Sequence, residues 1–177
     1  MNYLAELNTV HLDSLDTLQT NWQQQFAMMP QDFAWTGRNY LQLNEFTDYF
    51  QNLFQTVISE IGLPNGALIL QHHNKEFNCN KTMFVGHIHR DVTRKCCVTI
   101  PLTPIVEPLC FHNNVKTHTP SIKTSRYSHQ HPMLVNVSEP HRVLAVSDKL
   151  ERILLQIDYD IPFNEVIAHR PSIWNLV

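Results

Sequence analysis

A change of hydrophobic period at Asn65-Gly66 constrains this chain more than any other feature. Beyond that turn dipeptide the apolar residues fall into seven short runs, at 67–72, 83–89, 95–102, 109–111, 133–136, 142–146 and 152–159, bounded by polar residues or proline. No helical period intervenes between any two of them. Parallel neighbours need long crossovers, usually helical, so these runs are expected to pair antiparallel in a sandwich or barrel. A double-stranded β-helix, the cupin-like jelly roll, fits that strand count. The expected fold class is mainly β with supporting α-helices.

The helices come first in the chain. Leu12, Leu15, Leu18, Trp22 and Phe26 recur at spacings of three and four, which lays one apolar stripe along a helix. Asp13 or Ser14 can cap it, and Met28-Met29-Pro30 ends it. Residues 32–43 show no clear period and read as loop with an edge strand. A second helix carries Phe46, Tyr49, Phe50, Leu53, Phe54, Val57, Ile58 and Ile61 as one stripe, with Asn44 as cap and Gly62 and Pro64 closing it. An aromatic stripe at helical spacing is a packing face, so the N-terminal helices are expected to lie on the sheet. Residues 162–169 read as a short closing helix, capped by Asp160 and followed by Pro171. At 177 residues and 43% hydrophobic the chain can bury one good core. A single domain over 1–177 is therefore expected, with 1–66 as helical support, 67–160 as the jelly-roll core and 161–177 as C-terminal helix and tail.

A net charge of −3 and a pI near 6.4 supply no global attraction to nucleic acid or anionic membrane. No basic segment precedes an apolar stretch near the start, and no apolar run reaches the roughly 18 residues needed to span a bilayer. The expectation is a soluble, cytoplasmic protein with neither nucleic-acid nor membrane partners. Cys79, Cys96, Cys97 and Cys110 lack C-x-x-C spacing and read as small buried thiols in a reducing compartment. Cys96 and Cys97 would face opposite sides of a strand.

The residues that carry chemistry centre on Gly86-His87-Ile88-His89-Arg90-Asp91. His89 and Asp91 stand two apart at the end of a strand-like run, so their side chains project to one face. An imidazole and a carboxylate on one face are two of the three ligands of a facial Fe(II) triad. His141, at a turn between two apolar runs, is the candidate third ligand. Arg152 follows it by eleven residues (152 − 141), at the opening of the apolar run 153–157. With 11 histidines an accidental His-x-Asp is expected, and His11-Leu12-Asp13 is one, but no strand run surrounds it.

The set His89-x-Asp91, then His141, then Arg152 resembles the Fe(II)/2-oxoglutarate-dependent oxygenases. The likeness covers roughly 67–160, and 94–102 looks like the strand that follows His-x-Asp in the aspartyl/asparaginyl β-hydroxylase-like and proline-hydroxylase-like branches. The resemblance implies Fe(II) held by His89, Asp91 and His141, with 2-oxoglutarate and O2 as co-substrates. It also implies oxidative decarboxylation to succinate and CO2, coupled to hydroxylation of a C–H bond of an amino acid, a peptide or protein side chain, or a small metabolite. Arg152 would bind the far carboxylate of 2-oxoglutarate, because a guanidinium offers planar, bidentate, permanent charge. Arg94 is the second cation considered, for the co-substrate or for an acidic group on the substrate.

Two rivals follow from the same residues. His87 shares a strand face with His89, and His-x-His opens the metal site of many cupins. Those usually add a glutamate three or four residues later, where this chain has Thr93 and Arg94. The other rival is a catalytically silent jelly-roll binding or structural module. Its difficulty is that a silent fold has no reason to keep a buried carboxylate and cation. His72, His73, His112, His118, His129 and His131 match no structural zinc spacing. The polar stretch between Phe111 and Pro132 reads as a mobile, histidine-rich lid.

Overall fold

The computed structural model describes residues 2–29, 37–63, 67–73, 88–105, 107–116, 120–144 and 152–177. Strand β9 (Arg152–Tyr159) lies inside the larger of two sheets, and all 8 of its residues are buried. Alternation turns Ile153, Leu155, Ile157 and Tyr159 toward the core beneath the helices. Leu154 points the other way, into a second core with Phe111, Tyr127 and Val143 of the smaller sheet's side. Arg152, Gln156 and Asp158 share that second face.

The larger sheet runs β10 (Trp174–Leu176), β1 (Leu4–Leu7), β7 (Met133–Val135), β4 (Cys96–Pro101), β9, β3 (Ala67–His73), β2 (Gly37–Leu41). The smaller runs β6 (Ser121–Ser125), β5 (Leu109–His112), β8 (His141–Val143). Every described strand pair is antiparallel. The chain crosses between sheets repeatedly: β4 in the larger, β5 and β6 in the smaller, then β7, β8 and β9 in alternate sheets. Cys96 joins the helix-side core and Cys97 the inter-sheet core, so the adjacent thiols do face opposite ways. Both, with Cys110, are buried and free; Cys79 lies outside the described residues.

Helix α1 (Leu15–Met28) starts at Ser14, whose hydroxyl accepts from the Thr17 amide at 3.3 Å. Asp13 instead accepts from the Tyr49 hydroxyl at 2.8 Å, which ties α1 to α2 (Asp48–Ile61). Gln25, fully buried, donates to the Glu45 carbonyl and accepts from the Thr47 amide at 2.7 Å. Thr47, not Asn44, caps α2, because residues 43–45 form a separate 3-10 turn. Gly62 ends α2 with φ of 72°, a left-handed conformation open to glycine without strain. Phe50, Phe54, Val57 and Ile61 form the buried face of α2. The closing helix α3 (Phe163–His169) has Pro162 at its cap position, two residues after the expected Asp160. No helix among the described residues is long and apolar enough to cross a membrane.

The structure departs from the sequence expectation at several short strands. Strands β1 and β10 pair with each other but are only four and three residues long, too short for alternation to register. The expected lid is also corrected. Residues 121–125 form β6 against β5, Tyr127 is buried, and the Gln130 carbonyl accepts the Leu12 amide at 2.9 Å. A Ser-Ile-Lys-Thr-Ser strand with an exposed outer face has too little apolar content to be read as one; 117–119 lie outside the described residues.

Phe54 is fully buried and packs edge-on against Phe46, with ring centroids 4.9 Å apart. Phe54→Ala is expected to lower unfolding stability by about 3–5 kcal/mol through the cavity it leaves. Tyr40→Ala, at an exposed position, should change it by less than about 0.5 kcal/mol. Urea denaturation followed by tryptophan fluorescence measures both.

Candidate metal centre

His89 and His141 meet through the backbone before their side chains meet. The His89 amide donates to the His141 carbonyl at 2.9 Å, and the His141 amide donates back at 2.8 Å. Residues exchanging both bonds sit directly opposite and send their side chains to one face. The rings accordingly lie 4.5 Å apart between centroids. On its other side His141 pairs with Phe111 of β5, so His89 extends the smaller sheet beyond β8. Phe111 belongs to the inter-sheet core, which places both imidazoles in the gap between the sheets.

Asp91 follows two residues after His89 and projects to the same side. Its amide donates to the Val137 carbonyl at 3.0 Å, holding this segment across the turn before β8. Asp91 Oδ1 lies 3.7 Å from His89 Nε2. Ligand atoms of His89, Asp91 and His141 all fall within 4.8 Å of one another, within reach of one ion. They are the one group of three or more His, Cys, Asp or Glu side chains with this property among the described residues. His141 Nδ1 donates to the Glu139 carbonyl at 2.8 Å, which leaves Nε2 as the ring atom free to ligate and fixes the ring. The His89 side chain is 29% exposed and that of Asp91 7%, so the site opens to solvent on the His89 side.

Arg94 lies behind Asp91. Its Nε donates to Asp91 Oδ2 at 2.6 Å, while Nη1 reaches Asp158 and, at 3.1 Å, Gln156 Oε1. Arg94 is thus committed to two carboxylates of the chain itself, and the expectation that it serves a co-substrate or substrate acid is corrected. Its guanidinium is buried against β9, where it meets Gln156 and Asp158.

Arg152 is placed differently. It is buried at the start of β9, its Nη2 donates to the Tyr127 hydroxyl, and its guanidinium carbon lies 5.1 Å from the centroid of the Tyr127 ring. Its Nε is buried without a hydrogen-bond partner, and no carboxylate among the described residues pairs with it. A buried cation without a counter-charge is costly, and with none among the described residues an anion entering the gap would relieve that cost. Tyr127, Gln156 and Asp158 had no sequence signal as site residues: each is an ordinary polar side chain in a strand or turn. Only the alternation along 152–158 hints that Gln156 and Asp158 accompany Arg152.

Of the remaining histidines, His131 Nδ1 bonds the Val10 carbonyl at 2.9 Å and its ring lies 4.5 Å from that of His11, away from the cluster. His87 and His118 lie outside the described residues.

Burial, and secondarily the nearby His89, lowers the His141 pKa to about 4, although the Glu139 carbonyl and Asp91 pull the other way. The unfolded chain would take up this proton near pH 6.5 and the folded chain only near 4. Between those values the unfolded state binds more protons, so stability falls as pH falls. Metal-free protein is expected to lose up to roughly 3 kcal/mol from this group between pH 6.5 and 4. His141→Gln should flatten that part of the profile, read as urea midpoints across the pH series.

No family model matches the chain, and no curated protein matches it. Among solved structures the chain is similar to the crystal structure of IDO from Bacillus thuringiensis, with a TM-score of 0.46 and 12% sequence identity over 81% of this chain and 82% of that one. A likeness of that strength assigns neither a family nor an activity.

Proposed function

We propose that the protein is an Fe(II)- and 2-oxoglutarate-dependent oxygenase on a double-stranded β-helix. Its proposed reaction hydroxylates a C–H bond of an amino acid, a peptide side chain or a small metabolite. The observation that carries this reading is the convergence, in one gap between two antiparallel sheets, of His89, Asp91 and His141 with a buried Arg152 that pairs with no carboxylate among the described residues. Two imidazoles and one carboxylate on one face suit a 2-His-1-carboxylate centre with open positions. The repeated passage of the chain between the two sheets from β4 to β9 supports the jelly-roll reading.

Bound iron would supply O2 activation coupled to decarboxylation of 2-oxoglutarate to succinate and CO2. The chain's own residues do the rest. His141 holds its Nε2 toward the gap through the Nδ1 bond to Glu139. Arg152 offers its guanidinium to the far carboxylate of the co-substrate, with Tyr127 fixing the plane of the fork. Phe111 and Val143 line an apolar wall that keeps stray water from the reacting atoms. The opening at His89 leaves a path for the substrate.

Fe(II)-dependent release of succinate from 2-oxoglutarate, stimulated by a member of an amino-acid and peptide panel, is the expected result. Its absence once O2 is admitted to protein loaded with iron anaerobically would end this reading. His141→Ala should abolish both iron binding and succinate release. Arg152→Ala should leave iron binding intact and weaken 2-oxoglutarate roughly ten- to a hundredfold, since a charge-assisted hydrogen bond contributes about 1.5–3 kcal/mol. Arg152→Lys should restore only part of that, because charge returns without the planar fork.

A further inference from the structure

Asp91 has two oxygens, and what each one faces decides how many positions it would fill on an ion. Oδ1 faces His89, and Oδ2 takes the Arg94 Nε proton at 2.6 Å. A guanidinium is a rigid plane, so anchoring one nitrogen sets the direction of the others. The anchor here is Nη1, held by Asp158 and by Gln156 Oε1 at 3.1 Å. Gln156 is itself oriented, because its Nε2 donates to Thr99 Oγ1 at 3.2 Å and lies 3.6 Å from Cys97 Sγ. Its oxygen is therefore the end left for Arg94. Arg94, Gln156, Asp158 and Thr99 are all buried, so water cannot substitute for a lost member.

We propose that Asp158 and Gln156 are positioning residues that act through Arg94 on Asp91, holding Oδ2 away from the metal so that Asp91 ligates through Oδ1 alone. The inference rests on the metal centre proposed above. A carboxylate binding through both oxygens would occupy two positions on the ion. Held to one oxygen, it leaves three positions open for the two atoms of a chelating co-substrate and for oxygen. The same contacts cap the negative charge of Asp91 from behind and so set how strongly it donates. Register makes the arrangement possible: Asp158 and Gln156 stand opposite Cys97 and Thr99 of β4, and Arg94 lies just before β4.

The test is titration of metal-free protein with Co(II), following the visible absorption bands, alongside thermal melting without metal. Asp158→Asn keeps the shape but loses the charge that anchors Nη1. It is expected to weaken Co(II) binding about ten- to a hundredfold, the usual effect of removing an outer partner of a ligand. It should also shift the Co(II) bands as the coordination number changes. Arg94→Lys should do the same, since an ammonium cannot bond Asp91 and Asp158 in fixed directions. A purely structural ion pair would lower the metal-free melting temperature and leave the Co(II) bands alone. Affinity within twofold of wild type with an unchanged spectrum overturns the proposal. Should Asp158→Asn fail to fold, Gln156→Met removes one anchor without altering charge; at least threefold weaker binding with a band shift supports the proposal, and wild-type behaviour overturns it. Wild-type protein that binds no Co(II) would instead overturn the metal centre itself.

Discussion

Burial of β9 on both faces is the constraint to which the rest of the structure answers. A strand enclosed on both sides usually reads as continuously apolar, and here one face does: Ile153, Leu155, Ile157 and Tyr159 sit under the helices. The other face carries Arg152, Gln156 and Asp158, three polar side chains that must be satisfied without water. Arg94 answers Gln156 and Asp158, and Tyr127 answers part of Arg152. The helices are needed to seal the first face, and the smaller sheet to enclose the second.

Coupling between backbone and site is tight for the same reason. The reciprocal hydrogen bonds of His89 and His141 make the candidate ligand pair a property of the sheet, so the two rings would need little ordering to meet an ion. Pre-organisation of this kind lowers the entropic cost of binding. Burial keeps the His141 imidazole neutral, which is the form that ligates a metal. Cys97, fully buried with its thiol pKa raised by desolvation, stays protonated beside Gln156 and competes for no ion.

The sequence was most legible where period and burial agree. The α2 stripe, the Gly62 terminus and the strands at 96–101 and 152–159 stand close to where their apolar patterns put them. His89, Asp91 and His141 were identifiable because ligand chemistry restricts residue types sharply, and the structure brings the three together. Arg152 stood out as a cation inside an apolar run. Arg94 did not yield its role, because a loop arginine looks the same whether it meets a ligand or the carboxylates of its own chain. Asp158 and Tyr127 were silent, since their partners lie 64 and 25 residues away. The short strands β1, β6 and β10 escaped because three to five residues carry almost no periodic signal.

The position of β1 bears on how the molecule is made. Leu4–Leu7 is an interior strand, paired on one side with β7 and on the other with β10, with Ala5 opposite both Leu134 and Leu176. This strand leaves the ribosome before either of its partners, Val135 opposite Leu4 and Leu176 opposite Ala5. Until then the edge that meets β10 is open beside Leu4, Ala5 and Leu7, all buried in the finished sheet. Contacts of such long sequence separation close slowly, and exposed strand edges invite pairing between chains. Until the β10 segment has been made, one edge of the nascent strand stays open, and chaperone capture of that edge would be set by the fold's topology, not by any weakness of its core.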